Sequence, residues 1–362
     1  MQRYEMVCIG AGPAGLAAAI EAAKNQVEVV VYDENDKPGG QLFKQIHKFF
    51  GSREHRAKER GIKIGQDLLD EARQLGVEVV LNGIVLGIYQ NGAMNVMVQD
   101  RLEQVKAENV LIATGASENI IPFPGWTLPG VIGAGAAQTM ANIHGIKPGN
   151  RVLVVGSGNV GLVVGFQLLQ AGCCVEAVID AAPKIGGYGV HASKLARFGV
   201  PFFMSHTIKE AHGNNTVEGA TIIQVDKSWK PVPGTEKHYD VDTICIAVGL
   251  NPMTQLSRMS GCDMVHEPGL GGNIPAHDVN QETSISGVYV AGDASGIEEA
   301  STAIIEGRIA GLAIANKLGY LSDDAFQTKR EEQLQSMKGL RSGAHGGMRG
   351  EAKERLNNAI KG

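Results

Sequence analysis

Three glycines at fixed spacing, with acids behind them, carry the first chemistry legible in this chain. Val7-Cys8-Ile9-Gly10-Ala11-Gly12-Pro13-Ala14-Gly15 leads from an apolar run into an alanine-rich one, and Asp33, followed by Glu34, closes the next apolar run. The stretch reads as strand, tight turn, helix and strand. Gly10 permits the turn, Gly12 lets a pyrophosphate approach the backbone, and Gly15 lets the helix lie against the strand. Pro13 and Ala14 belong to the same turn, where free N–H groups at a helix start face an anion. An acid at the end of the second strand can accept hydrogen bonds from ribose hydroxyls. The expected ligand is therefore a dinucleotide.

The pattern recurs in the middle of the chain. Val152-Leu153-Val154-Val155 runs into Gly156-Ser157-Gly158-Asn159-Val160-Gly161, a helix extends to Leu169, and a strand Val175–Asp180 ends in an acid. Two copies so far apart are a duplicated fold unit rather than a short repeat. Asp180 favours NAD over NADP, because an acid there repels a 2′-phosphate.

The elements that position these residues follow from composition and period. The 362 residues are enough for about two domains, and the apolar (43%) and charged (20%) fractions are those of a soluble globular protein. The 48 glycines are nearly twice the usual share of about 7%, so turns and close backbone approaches are frequent. A net charge of −5 argues against nucleic acid as a partner. Cys8, Cys173, Cys174, Cys245 and Cys262 form no C-x-x-C, which removes a redox dithiol and a zinc site and fits a reducing, cytoplasmic setting. Residues 1–20 and Val152–Val175 mimic a signal peptide and a membrane span, but glycine turns interrupt both, so no membrane span is expected.

Between the copies, Glu78–Leu81, Ile84–Tyr89 and Met94–Gln99 alternate with period two around Asn82-Gly83 and Asn91-Gly92, as antiparallel hairpin strands do. A basic stretch before them, from Lys44 to Lys63 with Phe43, Phe49 and Phe50, reads as a solvated surface or as a partner-binding rim of exposed aromatics. A helix is expected over Asp67–Leu75. Asn109–Gly115 is a strand ending in Ala113-Thr114-Gly115, Val241–Val248 another ending before Gly249, and Gly287–Ala291 a third ending in Gly292-Asp293. A helix follows from about Ser301, carrying Ala303. After residue 318 comes a charged helix, then a glycine-rich segment (Ser342–Gly350), then Glu351–Ile360, read as disordered or as a docking peptide. His47, His144, His191 and His206 suggest no acid–base pair, so no catalytic residue is assigned.

These motifs together resemble the two-dinucleotide-binding-domain flavoproteins related to thioredoxin and glutathione reductases. The resemblance implies an α/β fold of two Rossmann-like three-layer domains, the second inserted in the first, with antiparallel β-hairpin insertions. Residues 1–116 and 250–320 would form an FAD-binding domain, 117–249 an NAD(P)-binding-like domain, and 321–362 a helical or flexible tail. FAD would lie on Gly10, Gly12, Pro13, Ala14, Gly15, Asp33, Glu34, Gly40, Gln41, Ala113, Thr114, Gly115, Gly292, Asp293 and Ala303, with Asp293 on the ribityl chain. NAD(H) or another adenine nucleotide would lie on Gly156, Gly158, Asn159, Val160, Gly161, Asp180 and Gly249. The redox cysteines of the disulfide reductases are missing: Gly39-Gly40 continues as Gln41-Leu42-Phe43.

Pro122-Phe123-Pro124-Gly125-Trp126-Thr127-Leu128-Pro129-Gly130-Val131, followed by Gly133-Ala134-Gly135-Ala136-Ala137-Gln138, is similar to the α-type subunits of sarcosine oxidase, opine oxidase, hydrogen cyanide synthase and dye-linked proline dehydrogenase. That resemblance implies a flavoprotein β subunit holding the amino-acid site. With no cysteine after Cys262, an iron–sulfur cluster would reside on a small separate subunit. The expected function is an FAD-binding electron-transfer subunit of an amino- or imino-acid dehydrogenase, passing electrons between that partner and NAD or another carrier. A stand-alone NADH-dependent reductase of a small carrier such as ferredoxin or rubredoxin, and a non-catalytic nucleotide-sensing subunit, are the alternatives.

Overall fold

A computed structural model describes residues 1–49, 52–89, 92–342 and 346–359. Phe50, Asn91, Ile360 and residues 343–345, which belong to stretches singled out above, lie outside the described residues. The chain folds into two compact units, Met1–Ser117 with Asn251–Gly362, and Glu118–Leu250.

The first unit opens with β1 (Gln2–Ile9), α1 (Pro13–Lys24), β2 (Val29–Asp33), α2 (Gly61–Gln74), β3 (Glu78–Leu81), β4 (Gly83–Ile88), β5 (Ala93–Val98) and β6 (Arg101–Ile112). A short strand, β7 (Ala116–Glu118), leads into the second unit. There follow β8 (Val131–Gly133), α3 (Ala134–Asn142), β9 (Arg151–Val155), α4 (Asn159–Gln170), β10 (Cys174–Asp180), α5 (Gly189–Arg197) and β11 (Phe202–Met204). The second unit closes with β12 (His206–His212), β13 (Gly219–Gln224), β14 (Lys237–Tyr239) and β15 (Thr243–Ile246). After β16 (Leu250–Pro252), the first unit resumes with α6 (Gln255–Met259), β17 (Met264–Glu267), β18 (Gly272–Pro275), β19 (Val288–Val290), α7 (Ala300–Lys317), α8 (Asp323–Arg341) and α9 (Gly347–Ala359).

In the first unit the sheet order is β3-β2-β1-β6-β5-β4, with β19 on β6. β1, β2, β3, the end of β6 and β19 run parallel; β5 pairs antiparallel with both β4 and the start of β6. Here one expectation is corrected. Glu78–Leu81 is no hairpin strand but the parallel edge beside β2, because its apolar residues complete the central sheet while Asn82 turns the chain at φ +52°. The helix expected from Asp67 begins six residues earlier, at Gly61.

The alanines of α1 have a packing reason. A Cβ at Gly307 would lie 2.1 Å from the Ala14 carbonyl oxygen, and one at Gly311 would lie 2.4 Å from that of Ala18. Two helices in contact through Ala14/Ala18 and Gly307/Gly311, one helical turn apart in each, approach backbone to backbone. This contact fixes the start of α1 against α7. It sits within a core cluster that includes Met6, Leu16, Leu111 and Ile314, all without exposed surface.

The second unit repeats the plan: a parallel sheet of order β11-β10-β9-β15-β8, followed by the antiparallel β12-β13-β14. Its core pairs Val154, Leu162, Leu168 and Cys245 on one face with Leu153, Ile179, Ile222 and Ile244 on the other. The charged helix expected after residue 318 is α8, and the segment read as disordered or as a docking peptide lies in helix α9 as far as Ala359. α8 packs Met337, Leu334 and Leu340 on Ile305 and Ile309 of α7, and α9 seats Ala352 and Leu356 on Leu270 and Ile274.

Candidate functional site

In the first unit the glycine turn is closed by steric necessity. Gly10 has φ +106°, and a Cβ there would lie 2.4 Å from the Ala113 carbonyl oxygen; one at Gly15 would lie 1.9 Å from that of Gly10. Only glycine fits either place. Gly12 differs. It is the extended N-cap of α1, and a Cβ added to it would meet no atom within 4 Å, so the helix start opens onto free space.

Ala113, Gly40 and Gly292 lie against this turn and the start of α1. Ala113 N–H donates to Ile9 O at 2.9 Å. Gly39 N–H donates to Ala11 O at 2.7 Å, which lays Gly40 over Gly12; a Cβ at Gly40 would lie 3.0 Å from the Gly12 Cα. Gly292 faces the Ala14 and Ala303 methyl groups. Thr114 donates from Oγ1 to Met253 O at 3.0 Å, and Gly115 follows at φ +75° with open space around it. Gln41 is exposed.

The two acids divide their work. Asp33 is 5% exposed; its Oδ2 accepts the Ala11 N–H at 2.6 Å and its Oδ1 accepts from the Asn35 backbone and side chain at 2.9 and 2.8 Å. Asp33 thus ties the turn to the strand end, while the exposed Glu34 presents its carboxylate to solvent beside it. Spacing alone singles out Asp33; only burial separates anchor from free acceptor.

Asp293 lies in the turn Gly292–Ser295 after β19. Its Oδ1 accepts the Glu298 N–H at 3.4 Å. Burial pushes its carboxyl up to about 6, aided by Glu306 and opposed by that N–H and by Arg349. Beneath the turn, Glu306 accepts from Gly292 N–H (3.0 Å) and Ser295 Oγ (2.9 Å) and pairs with Lys353 (2.9 Å) and Arg341 (3.2 Å). Burial works against its charge, yet Lys353 and Arg341 hold the carboxyl below the usual range. Sequence reasoning missed Glu306 and Lys353, since a lysine in a charged helix reads as solvated.

The second unit reproduces the first. A Cβ at Gly156 (φ +113°) would lie 2.2 Å from the Ala247 carbonyl oxygen, one at Gly161 2.2 Å from that of Gly156, and Gly158 again faces open space, with Val160 45% exposed beside it. Asp180 mirrors Asp33: Oδ2 accepts Ser157 N–H at 2.7 Å and Ser157 Oγ at 2.6 Å, and Oδ1 accepts Ala182 N–H at 2.8 Å. Gly186-Gly187, unnoticed in the sequence, stand six residues after Asp180 as Gly39-Gly40 stand six after Asp33. They fold back likewise: Gly187 N–H donates to Ser157 O at 2.8 Å, and Asn159 Oδ1 accepts Tyr188 N–H at 2.8 Å. No second acid follows Asp180, where Ala181 replaces the counterpart of Glu34. Gly249 turns at φ +105° beside Asn119.

The Gly133–Gln138 motif starts α3, where Glu118 Oε1 accepts the Gly135 N–H at 2.6 Å, an internal anion at a helix N-terminus. In the basic stretch, read as a solvated surface or as a partner-binding rim, the described aromatics are not fully exposed. Phe43 and Phe49 are half-buried, Phe49 against the α1 core and Phe43 over Gly39 and Gly65, because covering apolar surface stabilises them more than facing water. Among the described residues no group of three or more His, Cys, Asp or Glu could hold a metal, and no helix is long and apolar enough to cross a membrane.

Comparison with known proteins agrees with this duplicated geometry. The chain is 29% identical to an opine oxidase subunit of Agrobacterium tumefaciens (strain Ach5) over 94% of its own length and 71% of the relative's. It is 30% identical to the HcnB subunit of hydrogen cyanide synthase from Pseudomonas aeruginosa, over 92% and 76%. Its fold matches the crystal structure of T. acidophilum thioredoxin reductase at a TM-score of 0.72 and 22% identity, covering 88% of this chain and 99% of that one. The family model for pyridine nucleotide-disulphide oxidoreductases matches residues 4–307, and the chain belongs to that family.

Proposed function

We propose that this chain is the FAD-binding electron-transfer subunit of a multi-subunit amino- or imino-acid dehydrogenase. The observation that carries the flavin reading is the first unit's turn. Gly12 leaves the start of α1 open, Gly40 approaches its Cα, and Glu34 offers a free carboxylate beside it. These residues fit FAD. N–H groups at the open helix start would bind the pyrophosphate, Glu34 would accept from the adenosine ribose, and Asp293 would meet the ribityl chain. Asp33 would orient the turn by holding Ala11. Gly115 and Gly292 would let the backbone pass close to the ligand and exclude water there. When bound, FAD would supply reversible uptake of electron pairs.

The subunit reading draws on the relatives, two of which are named as subunits of an oxidase and a synthase, and on the lack of a dithiol among five free cysteines. Burial pushes the Cys8 and Cys245 thiols up, so neither is poised as a nucleophile. Electrons would therefore pass to or from a partner flavoprotein subunit carrying the amino-acid site, and onward to NAD or another carrier. The second unit would hold NAD(H) or another adenine nucleotide on Gly158 and the start of α4. Native purification from the source cells tests this. A stoichiometric flavoprotein partner is expected, and a chain that purifies alone and is rapidly bleached by NADH would instead be a stand-alone reductase.

A further inference from the structure

Lys353 is the most deeply buried cation of the described residues, with 2% of its surface exposed, and it comes from the last helix. Its Nζ donates to Ser295 O at 3.0 Å and to Ser295 Oγ at 2.8 Å, and lies 2.9 Å from Glu306 Oε1. Three donors meet three acceptors, which satisfies an ammonium completely. Glu306 in turn receives Gly292 N–H and Ser295 Oγ. Both ends of the turn that carries Asp293 are thus fixed by one buried ion pair, and one half of the pair arrives from α9.

Burying an ammonium costs several kcal/mol before its partners repay it, and an apolar side chain of similar volume is often as stable. Filling space therefore does not account for a lysine here; holding Ser295 and Glu306 does. The buried His277 beside it is pushed down to about 4, chiefly by burial and then by Lys353, so the ring is neutral and adds no second charge. Apart from this contact α9 is seated by Ala352 and Leu356 on Leu270 and Ile274 and by Gly350 beside the Arg341 side chain of α8, with Arg355 on Glu267 and Arg349 on Glu299 at the surface.

We propose that Lys353 is a positioning residue for the Gly292–Ser295 turn, and that docking of α9 is coupled to occupation of the FAD site. With α9 docked, the turn is held in the conformation that presents Asp293. With α9 released, Glu306 keeps Arg341 as its one remaining cation among the described residues, and Ser295 loses the ammonium on its carbonyl oxygen and hydroxyl. By reciprocity, a ligand that needs the ordered turn also holds the tail down. This inference rests on the flavin reading of the site.

The test uses the full-length apoprotein, K353M and K353R, titrated with FAD, together with trypsin cleavage after Arg349 with and without FAD. We expect K353M to lose about tenfold or more in FAD affinity, K353R to recover part of it, and FAD to slow cleavage in the wild type but not in K353M. A merely structural lysine would lower apoprotein stability and leave the FAD dependence of cleavage unchanged. Equal FAD affinity in K353M and wild type, or wild-type cleavage indifferent to FAD, overturns the coupling while leaving the flavin reading in place. Should K353M fail to fold, wild-type cleavage alone decides. A wild type that takes up no FAD overturns both.

Discussion

The Asp33 carboxylate accepts the Ala11 N–H at 2.6 Å, so the acid at the end of β2 is spent on the glycine turn itself. The second unit does the same with Asp180 and Ser157 at 2.7 Å. In both units the strand-end acid holds the loop that a nucleotide would touch, and only the first unit adds an exposed acid, Glu34, next to it.

This division predicts opposite phenotypes for neighbouring residues. D33A leaves the Ala11 N–H buried without a partner and should cost about 1–3 kcal/mol of stability, read as a lower denaturant midpoint. E34Q should leave that midpoint unchanged and weaken FAD binding about tenfold in an equilibrium titration. Equal loss of stability in both would show that the two acids do not divide the work.

The three glycines should likewise separate. G15A drives a methyl group against the Gly10 carbonyl and should destabilise the first unit by about 3 kcal/mol or more. G12A meets no atom and sits at φ −77°, so its stability should stay within about 0.5 kcal/mol of wild type while flavin retention is lost. Circular-dichroism melts beside flavin absorbance distinguish the two; a G12A protein that keeps its FAD would place the ligand elsewhere.

Asp293 gives a pH signature. Its carboxyl is pushed up to about 6 by burial, with Glu306 and Glu299 adding and the Glu298 N–H and Arg349 opposing. The folded state thus binds this proton more tightly than the unfolded state, so the residue's ionisation erodes stability as pH rises from about 4 through 6. D293N cannot ionise. The stability of apo D293N relative to wild type should be near zero at pH 4 and grow to at most about 3 kcal/mol at pH 7. Denaturant midpoints at the two pH values check this, and a difference independent of pH would mean that Asp293 is not held in that environment.

E306Q removes the negative charge shared by Lys353 and Arg341. Leaving a buried cation uncompensated should cost about 3–5 kcal/mol, and the E306Q/K353M double variant should recover part of it. Additive losses in thermal melts would deny the pairing.

What the sequence makes legible follows from how local the cause is. The turns at Gly10–Gly15 and Gly156–Gly161 are short-range steric events, so residue type and spacing reveal them, as they reveal most strands and the duplication. Whether Glu78–Leu81 pairs parallel or antiparallel depends on a neighbour, β2, that lies across α2 in the chain, and its alternation is the same in either case. The division between Asp33 and Glu34 is a matter of burial, which adjacent acids do not announce. Gly186-Gly187 could have been found by carrying the spacing after Asp33 onto Asp180. Lys353 could not, because its burial depends on Ser295 and Glu306, both far away in sequence.

The first unit is proposed to carry FAD. The most direct measurement is the flavin released from the natively purified chain, identified by chromatography and counted against protein. One FAD per chain, lost in G12A, is the predicted result; a colourless chain that yields only adenine nucleotides would contradict it.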